Sequence, residues 1–528
     1  MFSIFKKKSA KIVITILIIT CFVTTAIANE PWIAYNYDWW LETYPVQSGY
    51  VVDRVITTND LGLSVPLKSP RDIVVHEDSD GEVSVFILDT SNHRILISDL
   101  NFEKTRELKV FTYGDDYRVE NFLPAPDADG NVNADEYWEE VARIGTKTGL
   151  RNPTGIFVQN FHGETRVYIA DYGNGRVIAC DIDGNIWMEY RKPVTETFDP
   201  KASFNPNKVL ADNAGNVYVA LKTITKGAVV FNEDGIFRGY YGANRVTRTS
   251  TAMLNYFLRF FMSREMMERR TSPTPVEFSS FTIDDDQFIY TVTETRSADV
   301  DIVKKLNPSG QNVFSEEGKD DWIWGAWMQP YVYGRTFMSM IVDVSVDEDG
   351  NIFLLDRESG QVFQYNNEGW LIFTFAGKGD QKGLFNAPTA IETYGGKVYV
   401  IDSIKNSLTI FKPSEFGTLV IEAMDLFNRG NYIESLQPWK EVLKRDANFY
   451  LAYIGMGNAK LSIGEFEEAM DYFYMHSTFG FSRAFKDYRV DFMRRNFDRF
   501  LIIATIATAL LIGTHIAIKV IRKRRQSK

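Results

Sequence analysis

The chain has 528 residues, of which 45% are hydrophobic, and a formal net charge of −11 at pH 7. This length can bury more than one core, so we expect two structured regions of unequal size. The two ends hold ten of the 58 basic residues and none of the 69 acidic ones, so residues 29–499 carry −21. That balance argues against broad binding of nucleic acid or anionic lipid and favours cations or neutral polymers as partners.

The first 28 residues have the pattern of a secretory signal peptide. Four lysines within residues 6–11 precede the apolar stretch 12–27, and Ala-Ile-Ala over residues 26–28 forms a cleavage site. An uncleaved anchor is the alternative. We predict export, after which Cys180 is the only cysteine left, so that no intrachain disulfide can form.

Residues 29–49 form a segment rich in aromatic side chains. Its rings are Trp32, Tyr35, Tyr37, Trp39, Trp40 and Tyr44. Exposed aromatic faces stack on sugar rings or dock onto proteins. We favour the alternative, in which these rings pin the segment against the domain that follows.

Six related units occupy residues 50–413, with insertions at about 101–150, 244–275 and 313–340. The clearest copies are residues 85–97 and 167–178, in which two β-rich runs flank an acidic turn. Units repeated in this way cannot bury their own apolar faces and must stack on their neighbours. Asp-Gly and Gly-Asn turns between short β-rich runs favour antiparallel blades over βαβ units.

The sixth unit shows only three strands, and the run from Tyr50 to Thr57 has no partner of its own. Pairing the two would protect both edges and close a ring. The sequence therefore predicts a mainly β fold, a six-bladed β-propeller sealed by its first strand, followed by a small α-helical segment.

Residues 89–95, Asp-Thr-Ser-Asn-His-Arg-Ile, resemble the repeats of NHL β-propellers, and residues 171–176 match them well. Units three and four depart from the pattern, with Leu221 and Thr293 in place of the acidic turn residue. We interpret the asparagine–arginine pairs as structural: the asparagine caps backbone groups and the arginine packs across to the next blade.

Residues 414–499 lack the β-rich units of the propeller and show a different sequence repeat. Three residue pairs are spaced 34 positions apart: Gly430 and Gly464, Ser435 and Ala469, Trp439 and Phe473. This spacing resembles tetratricopeptide (TPR) repeats, which implies two helical hairpins with a docking face that includes Tyr453 and Lys460. Two repeats are fewer than the usual three, so we expect support from the propeller or from a capping helix at residues 481–497.

Residues 500–518 contain no charged side chain and span about 28 Å as a helix, which is enough to cross a bilayer. The tail, residues 519–528, carries six basic residues and no acid. The positive-inside rule then places the tail in the cytoplasm and the large domain outside, as a single-pass membrane protein. A buried core helix is the alternative interpretation.

One segment has the spacing of a calcium-binding loop. Its candidate ligands, at EF-hand positions 3, 5, 7, 9 and 12, are Asp127, Asp129, Asn131, Asn133 and Glu136. Position 1 is Ala125, and prolines replace the incoming helix. The alternative is an acidic turn that opens a capped helix. Calcium is the only cofactor that we consider.

A second aromatic cluster lies in the insertion before the fifth unit. Its candidate binding residues are Trp322, Trp324, Trp327 and Tyr331. These rings can stack on a sugar or a protein, or can hold the insertion against the propeller, and the sequence favours neither.

Six-bladed propellers also include lactonases and lyases, but the five histidines share no metal-ligand spacing and we find no nucleophile–base constellation. We therefore expect an extracytoplasmic interaction protein rather than an enzyme. Its propeller would bind a protein or a glycan, and its helical segment would dock on a membrane complex. Its layout resembles bacterial surface proteins found beside sugar-uptake ABC transporters, which implies a transporter as partner and an accessory role in carbohydrate transport. A metal-dependent, lactonase-like propeller hydrolase is the rival hypothesis.

Overall fold

A computed structural model of the chain describes residues 30–37, 42–110, 112–113, 149–242 (without 196, 200, 223 and 225), 278–295, 302–316, 324–326, 331–332, 335–336, 339–474 and 477–526. The predicted signal peptide and the predicted calcium loop lie outside these residues. The chain divides into two units. The first extends to Ser414, apart from residues 38–42, and the second begins at Glu415.

Strands β1 (Tyr35–Tyr37) and β2 (Thr43–Pro45) form a hairpin, and β3 (Tyr50–Ile56) joins the last blade. Blade 1 consists of β4 (Asp72–Glu77), β5 (Val83–Asp89), β6 (Arg94–Asp99) and β7 (Thr105–Leu108). Blade 2 contains β8 (Thr112–Tyr113), β9 (Gly155–Phe161), β10 (Glu164–Asp171), β11 (Arg176–Cys180) and β12 (Asn185–Tyr190), with β8 parallel to β12.

Blade 3 contains β13 (Pro206–Ala211), β14 (Val217–Leu221), β15 (Ala228–Phe231) and β16 (Phe237–Tyr241). The described part of blade 4 contains β17 (Ser280–Ile283), β18 (Ile289–Val292) and β19 (Val303–Leu306), followed by helix α1 (Val313–Glu316) and the β20 (Tyr331–Val332) and β21 (Arg335–Thr336) hairpin.

Blade 5 contains β22 (Ile341–Val346), β23 (Ile352–Asp356), β24 (Gln361–Tyr365), β25 (Leu371–Lys378) and β26 (Leu384–Phe385). Blade 6 contains β27 (Pro388–Tyr394), β28 (Lys397–Asp402) and β29 (Ser407–Pro413), with β3 as its outer strand. The six-bladed propeller predicted from the sequence is confirmed.

The ring closes where β29 pairs with β3. The register runs from Leu408 opposite Ile56 to Pro413 opposite Tyr50, with a bulge between Ile410 and Phe411. The predicted closure by the first strand of the propeller is therefore confirmed. Tyr50 is almost fully buried and stacks on Phe375 of blade 5, with ring centroids 4.4 Å apart, so the closing strand is also fixed by packing.

The hydrophobic core lies between neighbouring blades. One cluster joins blades 1 and 2, with Phe86 and Leu88 of β5 packed among Ile156, Val167 and Ile178. Because each blade is covered on both faces, its middle strands are apolar on both faces and do not alternate with polar residues. A fully buried side chain of this size contributes about 1.5–3 kcal/mol to folding.

The turn between the second and third strands confirms part of the structural interpretation of the asparagine–arginine pairs. In blade 1, Asp89 accepts hydrogen bonds from the Lys68 backbone N–H (2.8 Å), from the Asn92 amide (2.7 Å) and from Arg94 Nε (2.8 Å). In blade 2, Asp171 accepts the matching bonds from Arg151, Asn174 and Arg176.

The predicted direction of the arginine was wrong. Arg94 Nη2 donates to the Val65 carbonyl, on the segment that enters its own blade. The next blade is reached instead by the residue between the asparagine and the arginine, because His93 Nδ1 accepts a hydrogen bond from the Asn152 backbone N–H (3.0 Å). At the same place in blade 6, Asn406 accepts from the Ser69 backbone N–H (2.7 Å). These hydrogen bonds connect consecutive blades, and we call them latches.

The second unit is helical: α2 (Glu415–Asn428), α3 (Tyr432–Arg445), α4 (Tyr450–Ser462), α5 (Phe466–Phe473), α6 (Thr478–Arg495) and α7 (Phe497–Gln526). Small residues sit where helices cross. A Cβ built on Gly455 would come within 2.5 Å of the Trp439 ring, and one on Gly457 within 2.6 Å of the Phe473 ring. The helices can approach this closely only because these glycines lack a side chain.

Helix α7 is 30 residues long. Within Phe497–Arg525, its most apolar 18 residues have a mean hydropathy of 2.2, and none of them is buried. Length and composition fit a single-pass membrane anchor, as the sequence predicted. Which side of the membrane each end occupies stays a prediction.

Candidate functional site

The innermost strand of each blade faces the central channel, and one position repeats in all six. Each of these residues lies on the first strand of its blade and pairs with a residue of the second strand. In blade 1 that partner is Leu88, which immediately precedes the turn residue Asp89, and the partners in the other five blades occupy the corresponding position. We call this set the central ring. It consists of Asp72, Gly155, Lys208, Ser280, Asp343 and Ala390, in the order of blades 1 to 6.

Charged and small residues alternate around the central ring. Blades 1, 3 and 5 contribute Asp72, Lys208 and Asp343, whereas blades 2, 4 and 6 contribute glycine, serine and alanine. The small residues leave room for the long lysine. A Cβ on Gly155 would lie 2.8 Å from the Asn207 carbonyl oxygen and 2.9 Å from the Lys208 Cα.

Lys208 connects the other two charged residues. Its Nζ lies 2.7 Å from Asp72 Oδ1 and 3.4 Å from Asp343 Oδ1, and the side chains of both aspartates are at most 3% exposed. Buried charges persist only when they are paired and hydrogen-bonded. This ion pair therefore ties three non-adjacent blades together across the channel.

The even-numbered blades join the same network through hydrogen bonds. Asp72 Oδ2 accepts from the Ile156 backbone N–H of blade 2 (2.9 Å). Asp343 accepts from the Ser280 hydroxyl of blade 4 and from the Ile391 backbone N–H of blade 6 (2.9 Å). All six blades thus contribute a group to one polar network.

A third carboxyl group, Glu392 on β27, is electrostatically coupled to the network. Burial, together with the negative charges of Asp343 and Asp72, raises its pKa well above the ordinary value. Burial also raises the pKa of Asp72 to about 6, although Lys208 opposes this shift. The pKa of Lys208 is raised despite its burial, because Asp343 and Asp72 face it. The network thus holds the Lys208 ammonium between the carboxyl groups of Asp72 and Asp343 in the central channel.

One end of the propeller is strongly acidic. The turns between first and second strands and between third and fourth strands lie at this end, and in the described blades they contain sixteen acidic residues and one basic residue, Lys104. Among the described residues of the turns between second and third strands, at the opposite end, two are acidic and four are basic. We call the first surface the acidic end.

The acidic turns use at most one carboxylate for structure and expose the rest. Asp347 Oδ1 accepts from the backbone N–H groups of Asp349 and Asn351, and Asp212 accepts in the same way in blade 3. The remaining acids are exposed: Asp80, Glu82, Glu103, Asp183, Glu233, Asp234, Asp285, Asp286, Glu348, Asp349 and Glu368. The turn fold therefore needs one acceptor at the start of each acidic turn, an aspartate in most and an asparagine in two, Asn232 and Asn366.

Of the second aromatic cluster, Trp322 and Trp327 lie outside the described residues, and Tyr331 is described only as part of β20. Trp324 is half-buried and packs against Tyr365 and Phe314, with ring centroids 4.9 and 5.4 Å away. The adjacent Gly325 N–H donates to the Tyr365 hydroxyl (2.8 Å). These contacts hold Trp324 against blade 5.

Besides Tyr44, the structure describes three of the N-terminal aromatic residues. Trp32 and Tyr35 contact the propeller, and Tyr37 is buried beside Tyr35. Trp32 packs edge-on against Phe411, and its Nε1 donates to Ser48. The Tyr35 hydroxyl donates to Gln361 (3.1 Å), and the intervening hairpin is held by Asn36, whose amide donates to the Leu371 carbonyl. For Trp32 and Tyr35 the favoured interpretation, pinning against the propeller, is confirmed.

The two candidate docking residues of the helical unit make contacts within it. Lys460 Nζ lies 2.7 Å from Glu468 and also contacts Glu465, and these acids raise its pKa. The Tyr453 hydroxyl donates to the Ala447 carbonyl (3.0 Å). Both side chains remain partly exposed, so their role in docking stays a prediction.

The candidate calcium ligands at residues 127–136 fall outside the described part of the chain. Within the described part, no group of three or more histidine, cysteine, aspartate or glutamate side chains is arranged to hold a metal ion.

Sequence reasoning missed the central ring, although the signal was present. In three units a charged residue stands third in the run that opens the unit: Pro-Arg-Asp at 70–72, Pro-Asn-Lys at 206–208 and Ile-Val-Asp at 341–343. A charge inside a buried strand requires a partner, and three such charges at one repeat position indicate that they meet in the channel.

No protein family model matches the chain, and no curated protein matches it. Among solved structures, virginiamycin B lyase from Staphylococcus aureus aligns with a TM-score of 0.37 and 11% identity, over 69% of this chain and 99% of that chain. A structural genomics protein of unknown function from Bacteroides thetaiotaomicron aligns with a TM-score of 0.36 and 13% identity, over 70% of this chain and 78% of that chain. Likeness at this level says nothing about activity.

Proposed function

We propose that this protein is a membrane-anchored interaction protein whose propeller presents its acidic end to a positively charged protein partner. The observation that carries this proposal is the concentration of charge at the acidic end, whose described turns contain sixteen acidic residues and one basic residue. The exposed acids of the turns are not needed for the turn fold, so they are free to attract a partner. Clustered charge of one sign steers association and excludes partners of the same sign.

The construction of the propeller supports a binding role. The central ring, the latches between blades and the closing strand β3 all connect blades to one another. A rigid platform loses little conformational entropy when a partner binds to its turns, so more of the contact energy appears as affinity.

For the helical unit, we propose two TPR-like helix pairs that dock on a neighbouring membrane complex. The 34-residue spacing and the glycine–aromatic crossings support this assignment. Carbohydrate ABC transporter subunits are the partner that we propose, and this rests only on the resemblance in domain layout. The extracytoplasmic location of the propeller rests on the signal-like N-terminus and the basic tail.

The proposal is tested by cross-linking and affinity purification of the full chain from membranes in mild detergent, with mass spectrometry. The test variant replaces six exposed acids by their amides: Asp80, Glu82, Asp285, Asp286, Glu348 and Asp349. The control variant replaces three exposed lysines outside the acidic end by glutamine: Lys201, Lys226 and Lys382. A second control carries the first 28 residues and α7 without the units between.

We expect a partner that is retained by the native chain and by the lysine variant, is lost in the amide variant, and is released as salt is raised. Loss of the same partner in all variants would instead indicate general surface damage. A partner that is unaffected by the amide substitutions but lost when Tyr453 and Lys460 are both changed to alanine would move the binding site to the helical unit. If no partner depends on either surface, the proposal fails.

A further inference from the structure

Helix α6 has two halves with different surroundings. In its first half, Ala484 is fully buried and Phe481 packs against Phe473 and Ala469 of α5. This half completes the core of the helical unit. The capping helix that the sequence predicted over residues 481–497 is thus present, but it begins three residues earlier and only its first half caps.

In the second half of α6, large apolar side chains face outward. Val490, Phe492 and Met493 are 52%, 45% and 54% exposed. Phe492 continues the stripe that begins with Phe481, through Phe485 and Tyr488, at helical spacings of four, three and four residues. The stripe therefore extends past the helices that cover its first half.

The exposed half is continuous with the apolar helix α7. Only Asn496 separates the two helices, and it forms a hydrogen bond with each of them. Its side-chain amide donates to the Phe492 carbonyl of α6 (2.9 Å), and its backbone carbonyl accepts from the Phe500 N–H of α7 (3.0 Å). The rings of Phe492 and Phe500 lie 6.1 Å apart. The aromatic stripe thus reaches the first residue of the uncharged stretch.

Four arginines flank these apolar residues: Arg489, Arg494, Arg495 and Arg499. Arg495 pairs with Asp491 (2.7 Å), whereas among the described residues Arg489, Arg494 and Arg499 form no ion pair with a carboxylate. Including Asp498, residues 489–500 carry a net charge of +2, in contrast to the −21 of residues 29–499 as a whole.

Distance places this stretch at the membrane surface if α7 spans the bilayer. The headgroup layer is roughly 5–7 Å thick on each side of the hydrocarbon core. With a helical rise of about 1.5 Å per residue, the layer covers the four or five residues before Phe500, and the long arginine and phenylalanine side chains extend that reach.

We infer that residues 489–500, the juxtamembrane segment, lie at the headgroup layer, and that Arg494 and Arg499 bind the phosphates of anionic phospholipids there. The exposed apolar side chains enter the layer beside them. The inference rests on the membrane anchoring in the proposed function. Aromatic residues and arginines are the side chains that favour this interface, since each combines an apolar part with a polar or charged one. Continuity with α7 and the opposite charge of the phosphates identify the lipid surface as the occupant.

The test is amide hydrogen exchange, read by mass spectrometry, on the full chain in vesicles of phosphatidylcholine with or without phosphatidylglycerol. The variant Arg494→Gln/Arg499→Gln is compared with a matched control on α3, Lys440→Gln/Lys444→Gln. Both variants remove two positive charges from the helical unit. Protection of residues 500–518 reports, in the same experiment, whether α7 is inserted.

We expect phosphatidylglycerol to slow exchange in the juxtamembrane segment of the native chain and of the α3 control, by roughly fivefold for each arginine engaged. The effect should shrink at high salt and disappear in the double arginine variant. If residues 500–518 are protected but phosphatidylglycerol has no effect on residues 489–500, the inference is wrong while membrane anchoring stands. If residues 500–518 exchange freely in every vesicle, the anchoring itself fails.

Discussion

Carboxylates occupy two contrasting regions of the propeller. In the central ring, Asp72 and Asp343 are buried, share one lysine and accept hydrogen bonds from neighbouring blades. At the acidic end, residues such as Asp285 and Asp286 are exposed and stand beside further acids. The same chemical group stabilises the fold in one region and shapes the surface potential in the other, because burial decides how strongly its charge interacts.

Substitutions in these two regions should therefore have different consequences. A buried charge that loses its partner keeps its desolvation cost, whereas an exposed charge is already solvated by water. We therefore expect changes in the central ring to alter stability with any partner absent, and changes at the acidic end to alter partner binding with stability preserved.

The largest effect is expected for Lys208→Met, which leaves Asp72 and Asp343 buried without their cation. The free energy of unfolding should fall by about 3–5 kcal/mol. Urea unfolding of the full chain in detergent, followed by tryptophan fluorescence, measures the change. The triple variant Lys208→Met/Asp72→Asn/Asp343→Asn should recover much of the loss, because it removes the uncompensated charges. A stable Lys208→Met protein would show that the ion pair does not tie the blades.

Next in size is a pH effect that comes from Asp72. Burial raises its pKa from the ordinary value of 3.8 to about 6, so the folded state binds its proton more tightly than the unfolded state does. Its contribution is therefore present below about pH 4 and is lost as the pH rises towards 6, a change of up to about 3 kcal/mol. Unfolding of the native chain and of Asp72→Asn between these pH values isolates this residue. An equal slope in both proteins would assign the pH dependence to other carboxyl groups.

The sequence was sufficient for the blades and their closure but not for the central ring. Blade strands follow from local patterns: β-rich runs, Asp-Gly turns, and the unpaired run at Tyr50 that needs an edge. Lys208 lies 136 positions from Asp72, so the two are linked only by their shared repeat position, which becomes visible once the six units are aligned with one another. The direction of Arg94 was mistaken for a similar reason, since its acceptor, the Val65 carbonyl, lies in a segment without a repeat pattern.

A smaller effect is expected for Gly155→Ala, at an uncharged position of the ring. The new Cβ would lie 2.8 Å from the Asn207 carbonyl oxygen and 2.9 Å from the Lys208 Cα, so blades 2 and 3 must separate slightly. Overpacking of this kind costs about 1–3 kcal/mol. Ala390→Gly, at the matching position of blade 6, is the control for a one-methyl change that adds no contact. Unchanged unfolding of Gly155→Ala would mean that the ring is less closely packed at this position than the geometry indicates.

The smallest effect on stability is expected for the six acid-to-amide substitutions at the acidic end. These side chains are exposed, and the backbone of each turn is held by its first residue, such as Asp347, which the variant retains. Unfolding free energy should stay within about 0.5 kcal/mol of the native value. Association with the partner should nevertheless slow, and its dependence on salt should weaken, because steering charge is removed. A variant that unfolds more easily but binds at the native rate would reverse the roles assigned to the two regions, since these exposed carboxylates would then serve the fold rather than the surface.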